Sequence, residues 1–321
     1  MRVVVTTPSR LHFGLIDLEG SMGRRFGSLG LAIDRPRIVL EASPSRRLRI
    51  EGDQDGRVES FAKRFLEHYR IRGGARIVLH ETIPPHEGLG SGTQLALAVA
   101  SSLAKLFSLE TSVRELAKVL GRGKRSGIGV AAFEQGGFIV DGGKTLDPRL
   151  LNSPPPVIFR HPFPEDWIFV VVIPETNRGL SGEREEEAFR RLTAPSSKEV
   201  GTLCRLLVMK MLPALIEKDP MSFGSALTEI QKIVGRWFRA IQGGTYANQL
   251  LTGILRQMAR SGALGVGQSS WGPTVYGLVE GSEKASALED DLRRFIERKK
   301  VEALFSQARA NNHGARVVIE D

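Results

Sequence analysis

The sequence predicts an α+β fold, on three observations. Residues 2–80 alternate apolar and polar positions between turn residues, the second half carries helical periodicity, and the two kinds of segment do not follow a regular βαβ order. Strands are predicted at Arg2–Thr7, Leu11–Leu15, Leu29–Ile33, Arg37–Ala42 and Ala75–His80. Helical spacing follows at Arg57–Tyr69, most strongly at Thr93–Phe107, and at Val113–Leu120, before "GGFIVDGG" reads as a strand between glycine turns. The stretch "NSPPPV", Asn152–Val157, can neither continue a helix nor supply a central strand with donors. It divides the chain into a β-rich domain, residues 1–160, and a helix-rich domain, residues 161–321. In the second, "DWIFVVVIP" reads as a buried strand, and helices are predicted at Glu183–Leu192, Ser197–Ile216, Met221–Ala240 and Ala247–Ala259. The chain closes with "LGVGQSSWGPTVYGLVE", a glycine loop between two strands, then a helix at Glu283–Lys299 and a strand near Ala315–Ile319.

Composition narrows the function classes. With 321 residues and 41% apolar content the chain can bury a sizeable core. No stretch is apolar enough to span a membrane, and the start "MRVVVTTPSR" is too short and polar for a signal peptide, so a cytoplasmic protein is expected. The single cysteine, Cys204, forms no intramolecular disulfide and reads as a packing residue on a helix. A net charge of +9 permits anionic partners, but the basic residues are spread along the chain, often beside acids, and no basic run is interleaved with aromatics. Small-molecule substrates are therefore expected, without nucleic acid or membrane, and a homodimer is compatible with the chain. Six histidines without paired ligand spacing give no zinc site.

The most informative stretch is "IPPHEGLGSGTQLALAVA", Ile83–Ala100, where glycines open directly into an apolar helix. Freed backbone N–H groups at a helix N-terminus make an anion cradle. It is not a Walker A loop, because no lysine follows in Gly88, Leu89, Gly90, Ser91, Gly92 and Thr93. Nor is it the dinucleotide fingerprint, since Thr93 stands where the third glycine belongs.

The stretch Pro84-x-x-x-Gly88-Leu89-Gly90-Ser91 resembles the phosphate loop of the GHMP kinase superfamily, and "TPSRLHFGLIDL" and "GVGQSSWGPTVYGL" resemble that superfamily's first and third motifs, in the right order. The resemblance implies a GHMP-kinase-like two-domain fold, with a phosphate-loop helix in the N-terminal domain and a helix-rich α/β sandwich in the C-terminal one. "SRLHFGLIDLEG", "GRRFGSLGLAI", "RSGIGVAAFEQGGFIVDGG" and "PETNRGLSGEREEEAF" further resemble a non-kinase branch, the β-ribofuranosylaminobenzene 5′-phosphate synthase family. That likeness implies a transferase joining phosphoribosyl pyrophosphate to p-aminobenzoate or a related 4-substituted benzoate, with loss of pyrophosphate and CO₂, on the route to tetrahydromethanopterin. The alternative is an ATP-dependent small-molecule kinase. Many kinases of the superfamily place a general-base aspartate where "KRSGIG" has Gly129, and glycine cannot accept a proton.

Glycosyl transfer asks for a bound leaving group on one face of an oxocarbenium-like carbon and an oriented nucleophile on the other. On that reading the loop Gly88–Thr93 holds pyrophosphate, with Mg²⁺ as the expected metal and no organic cofactor. Arg122, Lys124 and Arg125, with Ser126 and Gly127, form either a sugar-phosphate site or a solvated basic turn. Arg10 and His12 are candidates for the aromatic carboxylate, and Asp17 for the ribose hydroxyls or the metal. Each has a plain alternative, respectively a strand-end ion pair, a core histidine and a turn aspartate. Glu183 is the candidate metal ligand in an acidic first turn that also suits the helix dipole. Ser269, Ser270 and Trp271 form the facing loop, where the indole either stacks on the substrate ring or fills the core.

Overall fold

The structure is a computed structural model, and it describes every residue except 148, 150–152, 177, 178, 181 and 321. Asn152 of the proline segment, and Asn177, Arg178 and Ser181 of the acidic-helix motif, lie outside the described residues. In chain order the elements begin β1 (Arg2–Asp17), β2 (Arg24–Ser45), β3 (Arg49–Glu51), α1 (Arg57–His68), β4 (Gly74–Glu81), α2 (Ser91–Leu106), α3 (Val113–Val119) and α4 (Ile128–Glu134). They continue with β5 (Phe138–Asp141), β6 (Lys144–Thr145), β7 (Val157–His161), β8 (Trp167–Pro174), α5 (Gly182–Arg191) and α6 (Ser197–Leu206). A π-helical turn (Leu207–Met211) leads to α7 (Leu212–Glu217), α8 (Pro220–Gln242), α9 (Gln249–Arg260), β9 (Gly265–Gln268), β10 (Val275–Glu280), α10 (Ser282–Lys299), β11 (Ala303–Ala308) and β12 (Arg316–Glu320).

Two sheets organise the chain. The first runs β12-β1-β2-β4-β3, with β5 and β6 also on β2 and β7 on β5, and is antiparallel except between β3 and β4. The second, β11-β8-β10-β9, is antiparallel throughout. The final strand β12 pairs with β1, so the first sheet takes one strand from beyond the division at residue 160. This tail closes the β1 edge, leaving that strand hydrogen-bonded on both sides.

Three local differences from the sequence reading have physical causes. Pro8 and Pro36 break the apolar alternation, yet β1 and β2 run straight through them, because a register shift between Thr7 and Ser9 absorbs the irregularity. The expected helix Ser197–Ile216 is interrupted by the π-helical turn just before Pro213, whose missing N–H and bulky ring prevent regular continuation. Helix α4 is too short, and too rich in small residues, to show a period in the sequence.

The core explains how the site is held. Helix α2 buries 13 of its 16 residues, lying over β1 and β2, so its N-terminal turn cannot shift without moving the centre of the molecule. Every residue of β8 is buried: Phe169 and Val171 face the main core, while Ile168, Val170 and Val172 face a second cluster beneath α9 and α10. Among the described residues no helix is long and apolar enough to cross a membrane.

Candidate active site

A cavity of about 520 Å³ lies where the end of α2, the β1 strand, the turn before α4, helices α5 and α8 and the β9–β10 loop converge. Its floor is β1, whose Arg10, His12 and Gly14 point to one face by strand alternation. These three positions order the cavity from one end to the other.

At the Arg10 end stands the glycine loop. Gly88 and Gly90 have φ of 80° and 79°, the left-handed conformation that favours glycine, and a Cβ on Gly88 would lie 2.3 Å from the Ser269 carbonyl oxygen. The close approach lets three donors bind the loop. Ser269 Oγ donates to the Gly88 carbonyl (2.6 Å), the Arg10 guanidinium donates to the same oxygen, and Thr274 Oγ1 donates to the Glu87 carbonyl. Gly90 caps α2, leaving the N–H groups of Ser91 and Gly92 at the first turn, where a helix offers no internal acceptor. Arg122 closes this end: its Nε donates to Thr93 Oγ1 (3.3 Å), its guanidinium lies over Phe61, and a Cβ on Gly92 would meet its Nη2 at 2.8 Å. Among the described residues no carboxylate forms an ion pair with Arg10 or Arg122. Desolvation pulls Arg10 down to about 10 against the field of Glu185, and Arg122 is lowered for the same first reason.

The other end is aromatic. Trp271 meets Phe238 edge to face at 4.6 Å and Phe189 at 5.6 Å, and the Arg125 guanidinium lies 4.5 Å over the Phe189 ring. Glu185 joins this wall to the turn before α4, pairing with Arg125 (3.0 Å) and accepting from Trp271 Nε1 (3.3 Å).

His12 stands between the two ends. It is 7% exposed, its backbone N–H donates to Ser269 Oγ (3.0 Å), and its Nε2 lies 3.2 Å from Ser126 Oγ. Burial and the neighbouring Arg10 pull its pKa down to about 3, so the ring is neutral at ordinary pH.

The structure thus brings Arg10, His12, Gly88, Gly90, Ser91, Gly92, Thr93, Arg125, Ser126, Ser270 and Trp271 onto one cavity. Leu89, Gly127 and Ser269 sit directly behind its wall, as a buried anchor, a donor to Asp141 and the staple between the two loops. Asp17 is elsewhere: its carboxylate accepts the N–H groups of Glu19 (2.7 Å) and Gly20 (3.3 Å) in the β1–β2 turn. Glu183 is exposed and does not line the cavity, which α5 faces with Glu185, Glu186 and Phe189 instead. Among the described residues no three His, Cys, Asp or Glu side chains converge as metal ligands, and the carboxylates that line the cavity are Glu185 and Glu186. The sequence assigns Glu185 only to the acidic first turn that suits the helix dipole and gives Phe189 no role, although their i, i+4 spacing puts them on one helix face. Asp141 escaped the sequence reading for want of any local signal.

Against this geometry, three curated archaeal proteins carry the name β-ribofuranosylphenol 5′-phosphate synthase. That of Methanothermobacter thermautotrophicus is 38% identical, over 87% of this chain and 89% of its own. That of Archaeoglobus fulgidus is 36% identical over 98% of both, and that of Methanocaldococcus jannaschii 34% over 85% and 88%. The chain belongs to the β-ribofuranosylphenol 5′-phosphate synthase family. It is an enzyme of that family on the GHMP kinase fold, matching the GHMP kinases N terminal domain at residues 57–137 and the GHMP kinases C terminal domain at residues 211–298. Solved structures agree on the fold: homoserine kinase from Cytophaga hutchinsonii gives a TM-score of 0.68 at 18% identity, covering 99% of this chain and 97% of that one. Galactokinase from Lactococcus lactis gives 0.67 at 14%, covering 98% and 95%. The relatives are named for a phenol product, where the sequence resemblance pointed to an aminobenzene or the product of a related 4-substituted benzoate.

Proposed function

We propose that the cavity transfers a 5-phosphoribosyl group from phosphoribosyl pyrophosphate to the ring carbon of a 4-substituted benzoate, with release of pyrophosphate and CO₂. The synthase name of the relatives makes 4-hydroxybenzoate the first acceptor to test and 4-aminobenzoate the second. The observation that carries this reading is the division of one cavity into an end whose two desolvated guanidiniums form no ion pair among the described residues and an end of aromatic rings, with the neutral His12 between them.

Each part has a task. Arg10, Arg122 and the first turn of α2 supply the positive field that a departing pyrophosphate needs as its charge grows. Mg²⁺ belongs to this proposal only as an ion carried on the pyrophosphate oxygens, and no step here is routed through it. Trp271, Phe238 and Phe189 exclude water and present ring edges and faces to the acceptor. Arg125 is already paired with Glu185, so it does not lock the acceptor carboxylate in a strong ion pair. That suits a carboxylate that must leave as CO₂, because pairing it tightly would stabilise the ground state.

The kinase alternative is weakened at Gly129. Its carbonyl accepts from Gln94 Nε2 (2.7 Å), and the space where a side chain would begin is bounded by Thr93 at 3.2 Å. No acceptor base stands at that position. Small molecules remain the proposed partners, without nucleic acid or membrane. The test supplies carboxyl-labelled 4-hydroxybenzoate with phosphoribosyl pyrophosphate and Mg²⁺. Labelled CO₂ formed one-for-one with pyrophosphate is expected; ADP formation from ATP with the label retained would replace this reading by the kinase.

A further inference from the structure

Behind His12 lies a buried polar chain that none of the steps above uses. Ser28 and Asp141 are direct cross-strand partners on β2 and β5, both fully buried. Four donors converge on the Asp141 carboxylate: Ser28 Oγ, Ser126 Oγ (3.5 Å), the Gly127 N–H (2.7 Å) and the Gly143 N–H (2.9 Å). Ser28 Oγ also lies 2.6 Å from Ser126 Oγ, which in turn is 3.2 Å from His12 Nε2.

Counting hydrogens fixes the direction of this chain. Burial raises the Asp141 carboxyl against its hydrogen bonds, while two of its four partners are backbone N–H groups that can only donate and the two serine hydroxyls are placed to donate as well, an arrangement that serves a carboxylate. Ser28 has one proton and two oxygens within reach, and the carboxylate is the stronger acceptor. Ser126 then gives its own proton to the Asp141 carboxylate directly. Ser126 Oγ is left as an acceptor, already taking the Ile128 N–H (3.2 Å), so His12 Nε2 must carry the hydrogen that points at it. The second nitrogen, Nδ1, is therefore bare. It has no hydrogen-bond partner among the described residues and is not among the buried unpaired polar atoms, so it is open to the cavity that the ring lines.

A bare, neutral nitrogen between an anion end and an aromatic end faces whatever joins them. In the reaction proposed above, on which this inference rests, that group is the ribose. We propose that Asp141, acting through Ser28 and Ser126, is a positioning residue that holds His12 as the Nε2–H tautomer, so that Nδ1 accepts a hydrogen bond from the ribose hydroxyl next to the carbon under attack. As the bond from that carbon to the pyrophosphate oxygen breaks, with its electron pair leaving on pyrophosphate, positive charge grows beside the hydroxyl. The hydroxyl becomes a better donor and its bond to Nδ1 strengthens, without the proton being transferred. Asp17, the sequence candidate for the ribose hydroxyls, is spent in its turn; His12 takes that place.

The experiment has three readouts. Imidazole nitrogen NMR of the full-length protein, with the His12 signals assigned by their loss in His12→Gln, reads the tautomer without substrate. Nε2–H with a bare Nδ1 is expected; Nδ1–H would overturn the proposal. Ser28→Ala removes a link that does not line the cavity, so it should lower kcat by about 10- to 100-fold with both KM values nearly unchanged, and should mix the tautomers. With phosphoribosyl pyrophosphate lacking the hydroxyl beside the reacting carbon, the same substitution should lose nearly all its effect. An equal loss on both substrates would make the chain a structural brace and overturn the proposal. If the tautomer is as expected but no benzoate is ribosylated, the reaction reading fails together with the hydroxyl role, while the orientation of His12 by Asp141 stands. Asp141→Asn gives a second arm, and Ser28→Ala keeps the test open if that variant does not fold.

Discussion

At one end of the cavity Arg10 and Arg122 are desolvated without an ion-pair partner among the described residues; at the other, Arg125 is neutralised by Glu185 and lies over an aromatic ring. The contrast separates the two substrates. A desolvated guanidinium without a counter-charge is costly unless a ligand brings the charge, so the first end is built for a multiply charged anion. The second end has spent its charge within the protein and offers rings, as an uncharged or weakly held aromatic group requires.

The largest effect that would break this contrast is at Arg10. The sequence reading set Arg10 beside the aromatic carboxylate, whereas its guanidinium holds the Gly88 carbonyl and its side chain lies under Gly90. Arg10→Ala should therefore reduce kcat/KM for phosphoribosyl pyrophosphate by about 100-fold or more, since a charge-assisted interaction and the loop brace go together. Steady-state kinetics with each substrate varied in turn checks this; a rise confined to the benzoate KM would return Arg10 to the aromatic side. Arg122→Ala should weaken pyrophosphate inhibition by about 10- to 100-fold and leave the benzoate KM alone, as inhibition constants would read.

A smaller effect is expected at the aromatic end. Trp271→Leu should raise the KM for the benzoate about tenfold and change pyrophosphate binding little, because it removes edge-to-face contacts and the bond to Glu185 without touching a cation of the loop. Equal changes in both ligands would show that the two ends are not separate sites.

His12 makes the comparison depend on pH. Its pKa of about 3 when folded lies below the ordinary 6.5, so the unfolded chain binds the proton more readily. Its contribution to stability is fully present above pH 6.5 and is lost as pH falls toward 3, with a slope of up to about 1.4 kcal/mol per pH unit. Urea unfolding of wild type and His12→Gln at about pH 7 and about pH 4 should show a shallower acid loss in the variant. Asp141, raised by burial, acts in the opposite sense but alike in both proteins, and drops out of the difference. The smallest effect is at Glu183: Glu183→Gln should leave kcat within about twofold at every Mg²⁺ concentration, because the side chain is exposed and off the cavity.

What the sequence disclosed follows the same division. The loop end was legible because its function is written in local backbone chemistry: glycines at 88 and 90 that take positive φ, followed at once by an apolar helix. The facing loop was legible through its own glycines, although only the structure shows Ser269 clasping Gly88. The aromatic wall was half legible. Trp271 stood out beside its glycine, but Phe189 and Phe238 look like ordinary core spacing until α5 and α8 bring them to the same ring. The chain behind His12 was not legible at all. It depends on the register that sets Ser28 against Asp141, and on a seven-residue helix whose first N–H groups reach the same cluster. Register between strands so far apart in sequence leaves no periodic trace.

The central claim is that the bond formed joins ribose to the ring carbon that loses CO₂. The most direct measurement uses 4-hydroxybenzoate isotopically labelled at the ring carbon bearing the carboxylate, and follows the product by carbon NMR. The account predicts a one-bond coupling between that ring carbon and the anomeric carbon of the ribose, with the carboxylate gone. A product that keeps its carboxylate and carries a phosphoryl or ribosyl group on the phenolic oxygen would contradict it.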